Sequence, residues 1–170
     1  AGLRPDASFE KMIPMEHPYI QSFMKHISDL GAAGTTIQVA VEHTSGDIFD
    51  PEYLDLLQQI NDEIFYLKGV DRNRMRSLWT PNVRWTEVTE KGFEGDKVID
   101  SDYDGSERAM TQLRRNILRS GEVGRLVSDN YRSTIVQTPL IDTDPTSGEP
   151  LDYWELSQAL EKNVREKYEQ

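Results

Sequence analysis

Thr36-Ile37-Gln38-Val39-Ala40-Val41 alternates along an extended chain, with Ile37, Val39 and Val41 on one side and Thr36, Gln38 and Ala40 on the other. That is the pattern of a half-buried strand. A helix follows it: Asp50 is placed to cap, Pro51 suits the first turn, and Tyr53, Leu56, Leu57, Ile60, Ile64 and Leu67 recur at helical spacing up to Gly69. Val70 to Trp79 reads as a second strand, charged at about every other residue. Ser133 to Leu140 reads as a third, in a hairpin with Arg125 to Val127 about Asp129-Asn130, residue types that tolerate tight-turn geometry. Pro139 has no amide proton to donate, so it belongs at a strand end or on an open edge. Asp152 with Glu155 forms a capping box, and Leu151 with Leu156 a hydrophobic staple. Leu156, Leu160 and Val164 then give the apolar face of a last helix running close to Gln170.

Upstream, residues 1–16 hold Gly2, Pro5 and Pro14 without a sustained period and read as an extended lead-in. From Pro18, the spacing of Ile20, Phe23, Met24, Ile27 and Leu30 predicts a helix that stops at Gly31 and Gly34. Residues 80–121 differ in texture. Pro81, Gly92, Gly95 and Gly105 break them into a short strand pair, Trp85 to Val88 with Lys97 to Ile99, followed by a helix. That helix is capped by Ser106 and carries Met110, Leu113, Ile117 and Leu118 before Gly121. The organisation expected is therefore a lead-in and helix over 1–35, a first αβ part over 36–79, an insertion over 80–121 and a second αβ part over 122–170.

With the insertion set aside, the order is strand, helix, strand, strand, helix. This is an α+β chain: a ferredoxin-like β-α-β-β-α unit lacking its last strand, with an N-terminal helix and a mid-chain insertion. The missing strand would lie beside the first one, so Thr36 to Val41 is expected to be an open edge. It would be covered either by a second copy in a dimer or by the N-terminal segment.

The chain has 170 residues, 19 basic against 30 acidic side chains and a net charge of -11. Such a balance repels a phosphate backbone, so nucleic acid is not an expected partner. Its longest apolar run, Ile64-Phe65-Tyr66-Leu67, is far below the roughly 20 residues of a membrane-spanning helix. The absence of cysteine excludes disulfides, thiolate chemistry and cysteine-bound zinc together. Ala1-Gly2-Leu3-Arg4-Pro5 reads as the interior of a longer chain.

Catalytic and metal motifs fail on spacing. Asp100-Ser101-Asp102-Tyr103-Asp104-Gly105 matches the opening of a calcium loop, but Glu107 stands where an apolar residue belongs and Thr111 where the closing carboxylate belongs. An acidic loop ending in a helix cap is the better reading, and no metal is expected. His17, His26 and His43 form no zinc signature and are expected to be exposed or satisfied by a partner group. Neither Ser45-Gly46 nor Ser120-Gly121 sits in a nucleophile elbow, and no glycine pattern builds a phosphate or dinucleotide loop, so neither enzymatic activity nor a cofactor is expected. What remains is the large apolar content of the insertion: Trp79, Trp85, Phe93, Tyr103 and Met110 either pack on the main sheet or line a ligand path.

Several strings together resemble a known family. Leu3-Arg4-Pro5-Asp6-Ala7-Ser8-Phe9-Glu10-Lys11-Met12-Ile13-Pro14, Gly46-Asp47-Ile48-Phe49-Asp50, Gly69-Val70-Asp71, Ser77-Leu78-Trp79-Thr80-Pro81-Asn82-Val83-Arg84-Trp85 and Asp144-Pro145-Thr146-Ser147-Gly148-Glu149 resemble the first periplasmic loop of proteobacterial predicted exporters of the resistance-nodulation-division superfamily. The likeness keeps its order over nearly the whole chain. It implies ferredoxin-like porter subdomains on the periplasmic face of the inner membrane, cut after a membrane exit and before the closing strand. It also implies transport of hydrophobic or amphiphilic lipids, sterols and hopanoids among them, driven by protons through membrane carboxylates outside this chain. The partners implied are a lipid, the rest of the transporter and a periplasmic protein of the same system. A ligand path through the insertion and a docking module with no ligand site of its own are the two forms this expectation takes.

Overall fold

The computed structural model describes residues 20–29, 35–160 and 162–163. It is a mixed α+β structure with three helices and two small antiparallel sheets. Strands β1 (Ile20–Asp29), β2 (Thr35–His43) and β5 (Ser133–Pro139) form one sheet in the order β1-β2-β5, and β3 (Arg84–Thr89) pairs with β4 (Gly92–Lys97) in the other. The helices are α1 (Pro51–Phe65), α2 (Glu107–Ser120) and α3 (Tyr153–Leu160). None of the described helices is long and apolar enough to cross a membrane.

The helix signals in α1, α2 and α3 are local and each is used. The Asp50 carboxylate accepts from the Glu52 amide at 2.9 Å, Ser106 Oγ from the Ala109 amide at 3.2 Å, and Asp152 from the amides of Trp154 and Glu155 at 2.9 and 3.2 Å. Each bond satisfies an amide that has no partner within its own helix. Gly121, at φ 77°, ends α2 in the left-handed conformation that glycine adopts at least cost. Tyr53, Leu54, Leu57, Ile60 and Ile64 of α1 are fully buried and share one core with Ile37, Val39 and Val41 of β2, Val136 of β5, Leu113 and Ile117 of α2, and Leu156 and Leu160 of α3.

Three expectations are corrected. Ile20–Asp29 is a strand, not a helix, and it pairs antiparallel with β2 along its whole length. The register slips between Lys25 and Ile27, so Ile20, Met24 and Ile27 stand opposite His43, Val39 and Ile37. An extra residue in a two-residue period produces spacings of four and three, which imitate a helix in the sequence.

Thr36 to Val41 is consequently not an open edge. It lies in the central strand with both ladders occupied, β1 on one side and β5 on the other, which leaves no free backbone there for a dimer. Of the two coverings expected, the N-terminal segment is the one found.

Val70 to Trp79 is not a continuous strand either. It pairs with residues 133–140 as two isolated bridges, Val70 with Leu140 and Arg76 with Gln137, and a 3₁₀ turn (Arg72–Arg74) separates them. Between those bridges the partner is Pro139, which accepts from the Asp71 amide at 2.9 Å but has nothing to donate, so the ladder breaks. The arrangement of β2, α1, residues 70–76, β5 and α3 is compatible with a ferredoxin-like unit.

Smaller shifts follow similar causes. In the insertion the second strand is Gly92–Lys97, earlier than the expected Lys97 to Ile99, because Glu90 and Lys91 alone make the turn. Val98 and Ile99 are buried beyond it. The first arm of the later hairpin is reduced to a bridge between Val127 and Thr134, and Tyr131, not Asp129 or Asn130, takes the positive φ of 56°.

Candidate functional site

The first candidate residue, Trp79, is positioned by a turn that docks on α1. Ser77 is fully buried; its Oγ donates to Asn61 Oδ1 at 2.6 Å and accepts from the Trp79 amide at 3.1 Å. Thr80 Oγ1 accepts from the Ser77 amide and donates to the Ser77 carbonyl, both at 2.9 Å. Asn82 donates to the Met75 carbonyl at 2.9 Å. These bonds close the turn on itself, so the polar residues of Ser77 to Asn82 serve its geometry.

Trp79 projects from this turn. Its indole Nε1 donates to the Leu54 carbonyl of α1 at 2.9 Å, and its ring meets Tyr103 edge to face, with centroids 5.7 Å apart at 82°. Tyr103 lines a cavity of about 270 Å³ at the start of α2, together with Asp100, Asp102, Asp104, Arg108 and Gln112. Its hydroxyl is buried with no hydrogen-bond partner among the described residues. Burial first, and then the carboxylates of Asp55, Asp104 and Asp50, push its pKa above the ordinary phenol value. Burial, followed by Asp102 and Asp96, likewise raises Asp100, whereas the hydrogen bond from Ser106 lowers Asp104. The cavity is polar, which suits a hydroxyl or amine of a ligand better than an apolar ring system.

The other three candidates lie elsewhere. Met110, half-buried on α2, packs against the core and donates its amide to the Ser106 carbonyl at 2.9 Å. Trp85, on β3, lies beneath Arg119, whose guanidinium carbon is 3.3 Å from the ring centroid. Arg119 also donates to Glu87 at 2.7 Å and to Asn116 at 2.8 Å, so the tryptophan packs the hairpin onto α2. Phe93 stands opposite Val88 near the hairpin tip, and the two are 86% and 73% exposed. Of the five, Trp79 and Tyr103 are brought into contact; Trp85 and Phe93 are not joined to them in one cavity.

Spacing did not reveal a buried network at the end of β2. His43 Nδ1 accepts from the amides of Gly46 at 2.8 Å and Ser45 at 3.3 Å, so its Nε2 carries the proton and donates to Asp50 Oδ2 at 2.9 Å. The ring stacks on Tyr53 at 6.1 Å, and the Tyr53 hydroxyl donates to the Val41 carbonyl at 2.7 Å and lies 2.6 Å from Thr134 Oγ1. Both imidazole nitrogens are thus engaged, as expected of a partner-satisfied histidine. The acidic loop expected over Asp100 to Gly105 leads into the Ser106 cap, and among the described residues no group of three carboxylate or imidazole side chains is placed to hold a metal ion.

No family model matches the chain, and no match was found among curated proteins or solved structures.

Proposed function

We propose that this chain is a periplasmic substrate-handling domain of a proton-driven inner-membrane transporter of the resistance-nodulation-division superfamily, moving hydrophobic or amphiphilic lipids of the sterol or hopanoid type. The observation that carries this reading is that four of the five strings resembling exporter loops coincide with joints of the fold; the fifth, Leu3 to Pro14, lies outside the described residues. Gly46 to Asp50 supplies the loop closed on His43 and the cap of α1. Gly69-Val70-Asp71 opens the segment that bridges β5. Ser77 to Val83 forms the turn that carries Trp79, and Arg84 and Trp85 open β3. Asp144 to Glu149 closes on the Asp144 carboxylate, which accepts from the Thr146 amide at 2.7 Å. Proton coupling and translocation would reside in membrane helices outside this sequence.

In this reading Trp79 and Tyr103 meet the lipid at its polar end, and burying its apolar area would contribute about 25 cal/mol per Å². The test is extraction of the domain from cells that make sterols or hopanoids, with mass spectrometry of co-purifying lipids. A lipid recovered in stoichiometric amount supports the proposal, and recovery no greater than from an unrelated periplasmic protein refutes it.

A second reading is favoured by the position of Val88 and Phe93. Large apolar side chains on the outside of a hairpin suit contact with another domain or protein, with the lipid held between the two. Chemical cross-linking from the hairpin in the membrane-embedded transporter distinguishes this reading: a cross-link to a neighbouring domain or periplasmic protein supports it, and cross-links confined to the domain itself count against it.

A further inference from the structure

Helix α2 concentrates positive charge on a chain that is strongly acidic elsewhere. Its 14 residues include Arg108, Arg114, Arg115 and Arg119 and a single acid, Glu107. Thr111, Arg114, Arg115 and Leu118 recur at the three- and four-residue spacing that shares one helix face. With Glu87 of β3 and Arg119 they line an open cleft of about 490 Å³ between the helix and the hairpin. The walls are the aliphatic stems of three arginines, and Leu118, 62% exposed among the described residues, adds an apolar surface.

The charge in the cleft is only partly spent. Glu87 receives Arg119 at 2.7 Å and lies 3.8 Å from Arg115. Arg114 has no carboxylate within ion-pair distance among the described residues; its guanidinium carbon sits 3.8 Å from the Phe49 ring centroid. Stacking holds the guanidinium by its face and leaves the in-plane N–H donors open. Three cations against one carboxylate leave an excess of positive charge beside an exposed apolar side chain.

We propose that this cleft binds an anionic single-chain amphiphile, its carboxylate or phosphate on Arg114 and Arg115 and its first methylenes against Leu118. Charge complementarity selects the anion, and guanidinium is the side chain best matched to planar oxyanions. An anionic bilayer is disfavoured, because surface attachment by charge uses clusters of about four to eight cations, whereas this patch is small and sits on a chain of net charge -11. The inference goes beyond the sterol or hopanoid reading and does not rest on it, since those skeletons need carry no anion.

The test is calorimetric titration of the 170-residue chain with sodium laurate at monomeric concentrations, with acetate and dodecanol as controls for charge alone and chain alone. The expected result is saturable one-to-one binding of laurate, at least about tenfold tighter than either control. R114A/R115A and, separately, L118E should each weaken it by about tenfold or more. The second substitution keeps the Arg114 stacking and sets a carboxylate four and three residues after Arg114 and Arg115, in the ligand's own place, so it remains informative if loss of that stacking perturbs the fold. Laurate binding unchanged in L118E, dodecanol binding as tightly as laurate, or arginine-dependent binding seen only with phosphatidylglycerol vesicles or an acidic peptide would overturn the proposal. Sterol binding, measured in parallel, is expected to be insensitive to both variants, so its success or failure is read independently.

Discussion

Tyr53→Phe is a stringent test of how the sheet is tied to α1. The side chain is fully buried, and its hydroxyl bonds the Val41 carbonyl at 2.7 Å and Thr134 Oγ1 at 2.6 Å, joining α1 to β2 and β5 at once. Removing one oxygen leaves the ring packing intact but takes a partner from two buried groups. A lost bond with an unsatisfied partner costs about 1–3 kcal/mol, so the variant should lose about 2 kcal/mol, or about 4–8 °C in Tm for a chain of this size. Urea unfolding followed by tryptophan fluorescence would measure it, with an unchanged m-value showing that the native state stayed compact.

The same residue predicts a pH signature. Burial raises the phenol's pKa well above its ordinary value of 10, with the hydrogen bond from Thr134 opposing that rise only in part. The unfolded chain therefore releases this proton first, and the stability associated with the neutral phenol is complete below pH 10 and falls above it. The slope approaches about 1.4 kcal/mol per pH unit until the folded-state pKa is reached. In Tyr53→Phe that component should vanish, so the two stability curves converge as pH rises above 10. A variant within about 0.5 kcal/mol of the parent, with parallel alkaline curves, would refute the reasoning.

Four further outcomes are expected. Gly95→Val should disrupt the insertion hairpin, because a Cβ there would come 2.6 Å from the Trp85 carbonyl oxygen; faster amide exchange confined to β3 and β4 is the readout, and unchanged exchange would contradict it. Asp50→Ala removes both the α1 cap and the acceptor of His43 Nε2, and should cost about 2–3 kcal/mol in chemical denaturation, whereas Asp50→Asn, which keeps an acceptor oxygen, should cost less. Asp144 is held at about 2 chiefly by Lys68, so its stabilising contribution is present above the ordinary carboxylate value of 3.8 and is lost as pH falls toward 2; carboxyl NMR should show Lys68→Met moving the midpoint up toward 3.8. Phe93→Ser should leave Tm unchanged, since the ring is 86% exposed, while reducing any self-association or partner capture detected by light scattering.

What the sequence revealed depended on whether a signal was local. The caps at Asp50, Ser106 and Asp152 bond amides two or three residues away, and α1, α2 and α3 begin where those residues predict. The strands depend on partners far along the chain. The slip at Lys25 gives β1 a helical period, and only its ladder with β2 shows otherwise. Pro139 announced its own strand end, yet the same missing donor also broke the neighbouring segment at Val70 to Arg76, an effect visible only once the two are side by side.

The candidate site was legible in part. Trp79 and Tyr103 do meet, but Trp85 packs against an arginine and Phe93 faces outward, distinctions that composition could not make. The arginines of α2 were written in the sequence as a basic run within an acidic chain; their significance appears only where Glu87 and Leu118 are brought beside them. The His43 network was equally hidden, because its partner Asp50 already had a role as a cap.

The most direct measurement of the central claim is equilibrium titration of the purified chain with a sterol and with a hopanoid, following fluorescence of Trp79 against Trp79→Phe. Saturable quenching that is lost in the variant, while unfolding shows the variant still folded, is the predicted result. Quenching that rises linearly with lipid, or is the same without the indole, would mean that this domain does not hold the lipid at Trp79 and Tyr103.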